Sequence, residues 1–368
     1  MPESPLARGL LLVFLLTLLG GVYLFSCSQT NQLILDGQRK AARLLESVDD
    51  APSSGDDYVP PVVVEERVLI DHLSPPDPDA PTGEQILARF LRTQPHTRDD
   101  KQLAELAKQD LPTREQVVAL ELQFSEVTDR GLAETAKFPN LALLNLACGK
   151  VTDKGLQIVK RLPQLQTLIL DQTAVSDVGL AKLPAAKNLK SLSLKALRPS
   201  SGKITDQGIT HLRKLAHLEK LWINLNPALT CQGLCGATPP LPLKLLDASD
   251  TRFGLNGQLS DASFSQLTTL HANNSVLSDD FVSGIENCRK LKSLQIQDNP
   301  GITDLAIKTI ASLPDLENLS LSRTKATHKN LSLLRGCKNL KQIVALETDI
   351  TAKNSSGLLP KVVVQTDR

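Results

Sequence analysis

The feature of this sequence that most restricts its fold is a six-residue pattern that recurs about every two dozen residues. It reads Val or Ile, Thr or Ser, Asp, any residue, Gly, Leu. Its clear copies begin at Val127, Val151, Val175 and Ile204, and looser copies continue to Ile350. A repeat this short cannot enclose a core of its own, so neighbouring repeats must stack and share one. The chain is therefore predicted to form a solenoid.

The second clear repeat indicates how the pattern specifies structure. Thr152 is predicted to cap a helix, and Asp153 to face the positive end of that helix's dipole. Gly155 removes a side chain where the helix and strand layers approach each other. Leu168 and Leu170 then alternate inward along a short strand. The buried stripe of the helix consists of Leu156, Val159 and Leu162.

Most repeats also place a small polar residue three positions after the last strand leucine. These side chains are predicted to lie buried in register and to satisfy loop backbone groups that have no helix or sheet partner. The residues are Thr173, Asn226, Thr251, Ser275, Asn299, Thr324 and Thr348.

The N-terminus, residues 1–27, is predicted to target the chain to a membrane. Residues 9–26 carry no charge, and this run of about 18 residues is at the short end of what spans a bilayer. Three interpretations remain open: an uncleaved transmembrane anchor, a lipoprotein signal with Cys27 lipidated, and a cleaved signal peptide. All three place the chain at a membrane or beyond it, and we expect the solenoid to be extracytoplasmic.

Changes in composition divide the rest of the chain. Residues 28–49 are predicted to form a short amphipathic helix, and residues 50–83, rich in proline and acids, a flexible linker. Residues 84–126 read as an N-terminal helical cap with the first half-repeat. About nine repeats then fill residues 127–349, and residues 350–368 form a C-terminal cap.

The repeats resemble a known family. The segments from Cys288 to Ile296 and from Cys337 to Ile343, with the Thr-Asp-x-Gly-Leu helix start, resemble the cysteine-containing subtype of leucine-rich repeats. This resemblance implies an α/β fold, a right-handed arc with parallel strands on the concave face and helices on the convex face. Together with the N-terminus, it makes the chain similar to bacterial membrane-anchored or exported leucine-rich-repeat proteins.

Charge and cysteine content restrict the partners. A net charge of +1 gives no reason to expect nucleic acid, and no metal or cofactor motif is present in the sequence, so we expect a monomeric solenoid without a cofactor. Cys288 and Cys337 are predicted to be buried thiols that act as small apolar side chains. Cys231 and Cys235 stand close together in an irregular repeat, and whether they form a disulfide remains open.

Stacked strands predict three columns of side chains that point away from the core. The middle column contains the chain's one tryptophan, Trp222, which we expect to be a solvent-facing binding residue. The alternative is that Trp222 merely covers the aliphatic parts of its neighbours. The predicted partner-binding residues are Trp222, Asp247, His271, Lys195, Lys220, Asn224, Asn273 and Gln295.

Two insertions follow strands near this centre. The first begins at Arg198 and the second at Arg252 and Phe253, and both are predicted to emerge on the same edge of the sheet. Together they would form a lip beside Trp222, because recognition residues often lie on loops.

The predicted function is that of a membrane-tethered scaffold, without catalysis, whose concave face binds a protein or peptide. A second hypothesis is a substrate adaptor similar to the F-box leucine-rich-repeat subunits of ubiquitin ligases. A third is a hydrolase that uses Ser249, His271 and Asp247, which would sit on adjacent strands. No nucleophile elbow accompanies these three residues, so the third hypothesis is the weakest.

Overall fold

The computed structural model describes residues 82–195, 204–355 and 362–367. Within these residues, short strands pair in sequence order into one open parallel sheet of eleven strands. Each repeat contributes one strand of three residues. The strands are β1 (Ala119–Glu121), β2 (Leu143–Asn145), β3 (Thr167–Ile169), β4 (Ser191–Ser193), β5 (Lys220–Trp222), β6 (Leu245–Asp247), β7 (Thr269–His271), β8 (Ser293–Gln295), β9 (Asn318–Ser320), β10 (Gln342–Val344) and β11 (Val363–Gln365).

The α-helices are short. They are α1 (Gly83–Arg92), α2 (Asp100–Ala107), α3 (Leu111–Glu115), α4 (Asp129–Leu132), α5 (Asp177–Leu180), α6 (Asp206–Thr210), α7 (Asp279–Val282), α8 (Asp304–Ile310) and α9 (Ala352–Ser355).

The remaining helical turns are of the 3-10 type, and several repeats have such a turn in place of an α-helix. A 3-10 helix rises about 2.0 Å per residue against about 1.5 Å for an α-helix, so it spans a compact repeat with fewer residues. These segments are Pro95–Thr97, Ala133–Lys137, Gly155–Arg161, Leu183–Ala185, His211–Lys214, Cys231–Gly233, Ala262–Phe264, Ser283–Asn287 and His328–Gly336.

One apolar core runs through the stacked repeats, from Ile86 to Ile350. The strand leucines form its spine: Leu168 pairs in register with Leu192, and Leu192 with Leu221. These leucines and Leu294 are completely buried. Because all four share this core, the predicted solenoid is confirmed. Cys288 and Cys337 lie in the same core as buried thiols, as predicted.

The polar residues that follow the strands also behave as predicted. The Thr173 hydroxyl donates to the Leu170 carbonyl at 2.7 Å. The Asn299 amide donates to the carbonyls of Ala272, Ile296 and Gln297 at 2.9–3.0 Å. These bonds satisfy loop carbonyls both within a repeat and in the repeat before it.

The N-terminal helices close the first repeat through a buried arginine. Arg98 is only 3% exposed, and its guanidinium donates to the backbone carbonyls of Leu91, Thr93 and Glu121. The same group lies 4.6 Å from the centre of the Phe90 ring. Since Glu121 belongs to β1, Arg98 ties the helical cap directly to the edge of the sheet.

The aspartate of the repeat pattern has a role beyond the predicted one. Its carboxylate accepts two hydrogen bonds from the next repeat, one from the backbone N–H and one from the hydroxyl of the capping residue. Asp153 accepts from Ser176 at 2.7 and 2.5 Å in this way. We call this arrangement the aspartate clamp. The pairs are Asp100–Thr128, Asp129–Thr152, Asp153–Ser176, Asp177–Thr205, Asp206–Thr230, Asp279–Thr303 and Asp304–Thr327.

The clamp also explains the glycine of the pattern. A Cβ added to Gly155 would lie 2.4 Å from the Asp129 carboxylate, and one added to Gly179 would lie 2.4 Å from that of Asp153. The glycine therefore makes room for the aspartate of the preceding repeat, and not for the strand layer as predicted.

The predicted membrane segment lies outside the described residues, as do Cys27, the amphipathic helix at 28–49 and most of the linker. In the part of the chain that the structure describes, every helix is too short or too polar to cross a bilayer.

Candidate binding face

The predicted middle column is observed strand by strand. Ser193 pairs with Trp222, Trp222 with Asp247, and Asp247 with His271. The column continues to Gln295 and Ser320 on one side and to Ile169 and Asn145 on the other. We call the side of the sheet away from the core, formed by this column and its two neighbouring columns, the sheet face.

The sheet face is more enclosed than predicted. Trp222 is 7% exposed, so the expectation of a solvent-facing tryptophan is wrong. Asp247 is also 7% exposed, and Ser193 is 1% exposed. Adjacent strands lie only about 4.8 Å apart, so side chains along one column cover one another. Of the other predicted binding residues, Lys195, Lys220, His271, Asn273 and Gln295 are partly exposed.

Polar groups on the sheet face mostly satisfy one another between neighbouring strands. Asp171 accepts the Ser193 hydroxyl at 2.5 Å and the Lys195 N–H at 2.8 Å. Burial raises the pKa of the Asp171 carboxyl, and these two bonds oppose the rise. The Asn273 side chain likewise accepts the N–H of Gln297 at 3.0 Å. The common pattern is a side chain that accepts the backbone N–H of the next strand's loop.

Asn224 breaks this pattern. The corresponding donor on the next strand is the Ser249 N–H, which donates instead to the Asp247 carboxylate at 3.0 Å. The Asn224 side-chain oxygen is therefore buried with no hydrogen-bond partner among the described residues. Asn224 as a whole is 7% exposed. A buried polar atom without a partner costs about 1–3 kcal/mol, so this oxygen is a strong candidate for a bond to a bound molecule.

His271 lies beside Asp247 in the middle column. Burial lowers the pKa of His271, and the nearby Asp247 carboxylate opposes the shift. The hydrolase hypothesis requires Ser249 to bond to His271. The Ser249 hydroxyl instead accepts the Asn273 N–H at 3.3 Å, and no hydrogen bond joins Ser249 and His271. The nucleophile and base of that hypothesis are therefore not assembled.

The predicted loop lip is wrong for Phe253. Its ring is fully buried and makes edge-to-face contacts with Phe264 and Phe281, at centroid distances of 5.7 and 5.4 Å. The second insertion thus folds into the core because a phenylalanine gains more by burial than by exposure. Arg252 is exposed on this segment, and Arg198 lies outside the described residues.

Sequence reasoning missed two features of this region. The aspartate clamp could have been predicted from the regular spacing between the Asp of one repeat and the Gly of the next. The unpaired oxygen of Asn224 had no such signal, because it depends on which acceptor captures the Ser249 N–H.

Comparisons with known proteins point to one family. A family model for leucine-rich repeats matches residues 287–311. No curated protein sequence matches the chain significantly.

Several solved structures resemble the chain. One is an internalin (inlF) of Listeria monocytogenes, at 16% identity and a TM-score of 0.46, covering 73% of this chain and 94% of the internalin. Another is the functional domain of InlJ from the same species, at 17% identity and 0.48, covering 73% of this chain and 54% of that one. A leucine-rich-repeat protein of Leptospira interrogans has 19% identity and 0.45, covering 72% of this chain and 80% of that one.

The fold itself agrees with the family match. Strands recur about every 24 residues in register, the leucines at their centres share one core, and the match over 287–311 spans one such unit. The described residues therefore form a leucine-rich-repeat solenoid, and the family match falls within it.

Proposed function

We propose that this chain is a non-catalytic interaction protein whose sheet face binds a protein or peptide around Trp222, Asn224 and Asp247. The observation that carries the proposal is the buried, unpaired oxygen of Asn224. An N–H donor from a bound chain would satisfy it, and peptide backbones supply such donors at regular intervals.

The chemistry around Asn224 supports a polypeptide partner. The Trp222 ring lies in the middle column one strand position from the Asp247 carboxylate, so an apolar surface and an acceptor stand side by side. Buried aromatic residues flanked by polar groups are typical of energetically dominant interface positions. Further along the same face, Gln123 and Ser320 also have buried side-chain oxygens without a partner among the described residues. A partner that extends across several strands would lie over all three side chains.

The N-terminus supports a membrane location for this activity. The uncharged residues 9–26, or a lipidated Cys27, would attach the chain to a membrane, and the linker at residues 50–83 would hold the solenoid away from it. We place the solenoid on the extracytoplasmic side. The adaptor hypothesis has less support, since the helices between residues 83 and 115 bury their apolar residues in the solenoid core and form no separate module among the described residues.

Site-specific photo-cross-linking tests the proposal. A photoreactive amino acid is placed at Lys220 or Asn273, both on the sheet face, and in a control at Val178, which is 64% exposed on α5. The full chain is then cross-linked in membranes of cells that naturally produce it. We expect the same polypeptide to be captured from both sheet-face positions and not from Val178. Equal capture from Val178, or none from either sheet-face position, would refute the sheet face as the binding site.

A further inference from the structure

Cys231 and Cys235 lie in one helical turn at the point where the aspartate clamps are interrupted. Cys231 follows the capping residue Thr230, which is the position of the clamp aspartate in the regular repeats. The Cys235 N–H donates to the Cys231 carbonyl at 3.3 Å, and the two sulfur atoms are 3.2 Å apart with both thiols free. Sulfur atoms 3.2 Å apart need to approach by only about 1 Å to reach the length of a disulfide bond.

The two sulfurs differ in access. Cys231 is fully buried, whereas Cys235 is partly exposed and lines an open cavity of about 490 Å³ with Gly257, Gln258, Ser260 and Asp261. Gly257 leaves room beside both sulfurs: a Cβ at this position would lie 2.8 Å from the Cys231 sulfur and 3.3 Å from the Cys235 sulfur.

The electrostatics give each thiol a separate role. A hydrogen bond from the Cys231 thiol lowers the pKa of Cys235, which therefore forms the thiolate more readily. The pKa of Cys231 is raised by the same contact and by burial. Elsewhere in the core, burial raises the pKa of Cys288 to about 12 and of Cys337 to about 11, so these thiols are unreactive near neutral pH.

We propose that Cys231 and Cys235 form a thiol–disulfide exchange site, in which Cys235 attacks small uncharged disulfides and Cys231 closes an intramolecular disulfide. In the first step the Cys235 thiolate attacks one sulfur of the disulfide RSSR, and a protein–S–S–R bond forms as RS⁻ leaves. In the second, Cys231 attacks the Cys235 sulfur, loses its proton to the departing thiolate and expels RSH. The protein is oxidised by two electrons, and RSSR is reduced to two thiols.

The cavity favours uncharged disulfides because of Asp261. Burial alone would raise the pKa of this carboxyl, but bonds from Ser263 and from the Gly236 N–H outweigh burial and hold the pKa below its usual value. The carboxylate is therefore charged near neutral pH and repels anionic disulfides at the entrance.

The consequence of closure follows from the position of the pair. The Cys231 turn is clamped to the preceding repeat through Asp206 and Thr230 but has no clamp aspartate toward the following repeat, so a disulfide there would stiffen the turn on the side where that clamp is missing. This inference stands independently of the binding face, since the pair does not lie on the sheet strands.

The test uses the purified full chain and bis(2-hydroxyethyl) disulfide, followed by acid quenching and mass spectrometry of the peptides. We expect the wild-type peptide with both cysteines to become lighter by two hydrogen atoms, without a retained adduct. Cys231→Ser is expected to retain a mercaptoethanol adduct at Cys235, because no thiol remains to displace it. Cys235→Ser is expected to react at least about tenfold more slowly in this peptide.

Cys148→Ser is the matched control, since Cys148 is a partly exposed cysteine outside the pair, and it is expected to leave the new disulfide unchanged. A stable adduct on wild-type Cys235 without ring closure would overturn the proposal. So would reaction of Cys148 while both paired thiols stay reduced. Formation of the Cys231–Cys235 disulfide in the wild-type chain tests the proposal even if a serine variant does not fold.

Discussion

The regular repeats and the middle of the solenoid, residues 229–277, use different contacts to join neighbouring repeats. Before and after the middle, a clamp aspartate of one repeat binds the capping residue of the next. In the middle, Cys231 occupies the aspartate position, and Asp261 accepts the Gly236 N–H of the preceding repeat. The strands nevertheless stay in register through β5, β6 and β7.

An aromatic cluster takes the place of the missing clamps. Phe253 from the second insertion packs against Phe264 of the following repeat and Phe281 of the one after that. Strand register and leucine packing therefore set the fold, while the contacts between repeats on the helical side are exchangeable. Within this middle, β6 presents Asp247 on the sheet face, and Asn224 lies just before it, so the least regular part of the chain adjoins the proposed binding site.

The substitution with the largest expected effect on stability disrupts the aromatic cluster. Phe253→Ala should lower the free energy of unfolding by about 3–5 kcal/mol, because a fully buried ring is replaced by a cavity. The control is Leu255→Ala in the same segment, where the side chain is partly exposed. Urea denaturation followed by circular dichroism measures both. Equal midpoints for the two variants would mean that the cluster does not support the middle repeats.

Substitutions at two adjacent aspartates measure how much the aspartate clamp contributes to stability. Asp279→Ala should cost about 1–3 kcal/mol, because the N–H and hydroxyl of Thr303 lose their acceptor. Asp280→Ala changes the next residue, which is exposed, and should cost less than about 0.5 kcal/mol. Thermal and urea unfolding of both variants gives the comparison. If the two variants unfold alike, the clamp adds nothing to the stability of the regular repeats.

His271, which is partly exposed on β7, predicts a pH dependence of the free energy of unfolding. Burial lowers the pKa of His271 below its usual 6.5, so below that pH the unfolded chain binds the proton more readily than the folded chain. Stability should therefore fall as the pH falls through about 6.5. His271→Gln should show a weaker decline between about pH 7.5 and 5.5 in urea denaturation. An unchanged slope would show that His271 does not sense protonation.

The sequence predicts the sheet register well, because leucines such as Leu168 and Leu192 can occupy only the inward positions of a short strand. It predicts exposure poorly, since the burial of Trp222 depends on side chains contributed by other strands. Phe253 is misread as part of a surface lip because an insertion has no counterpart in the other repeats. The bonds that Asp153 accepts from Ser176 are missed because the spacing within one repeat does not reveal a donor in the next repeat.

The binding role of Asn224 is tested most directly by measuring partner affinity and unfolding on the same two variants. Asn224→Ala removes the unpaired oxygen, and Gln157→Ala is a control on the exposed helical side. We predict that Asn224→Ala lowers the free energy of unfolding by no more than about 0.5 kcal/mol and can raise it, since no internal bond to this oxygen is lost and the cost of burying it unpaired is removed. Affinity for the cross-linked partner should fall about tenfold, while Gln157→Ala binds like the wild type. Wild-type affinity in Asn224→Ala would contradict the proposed binding face.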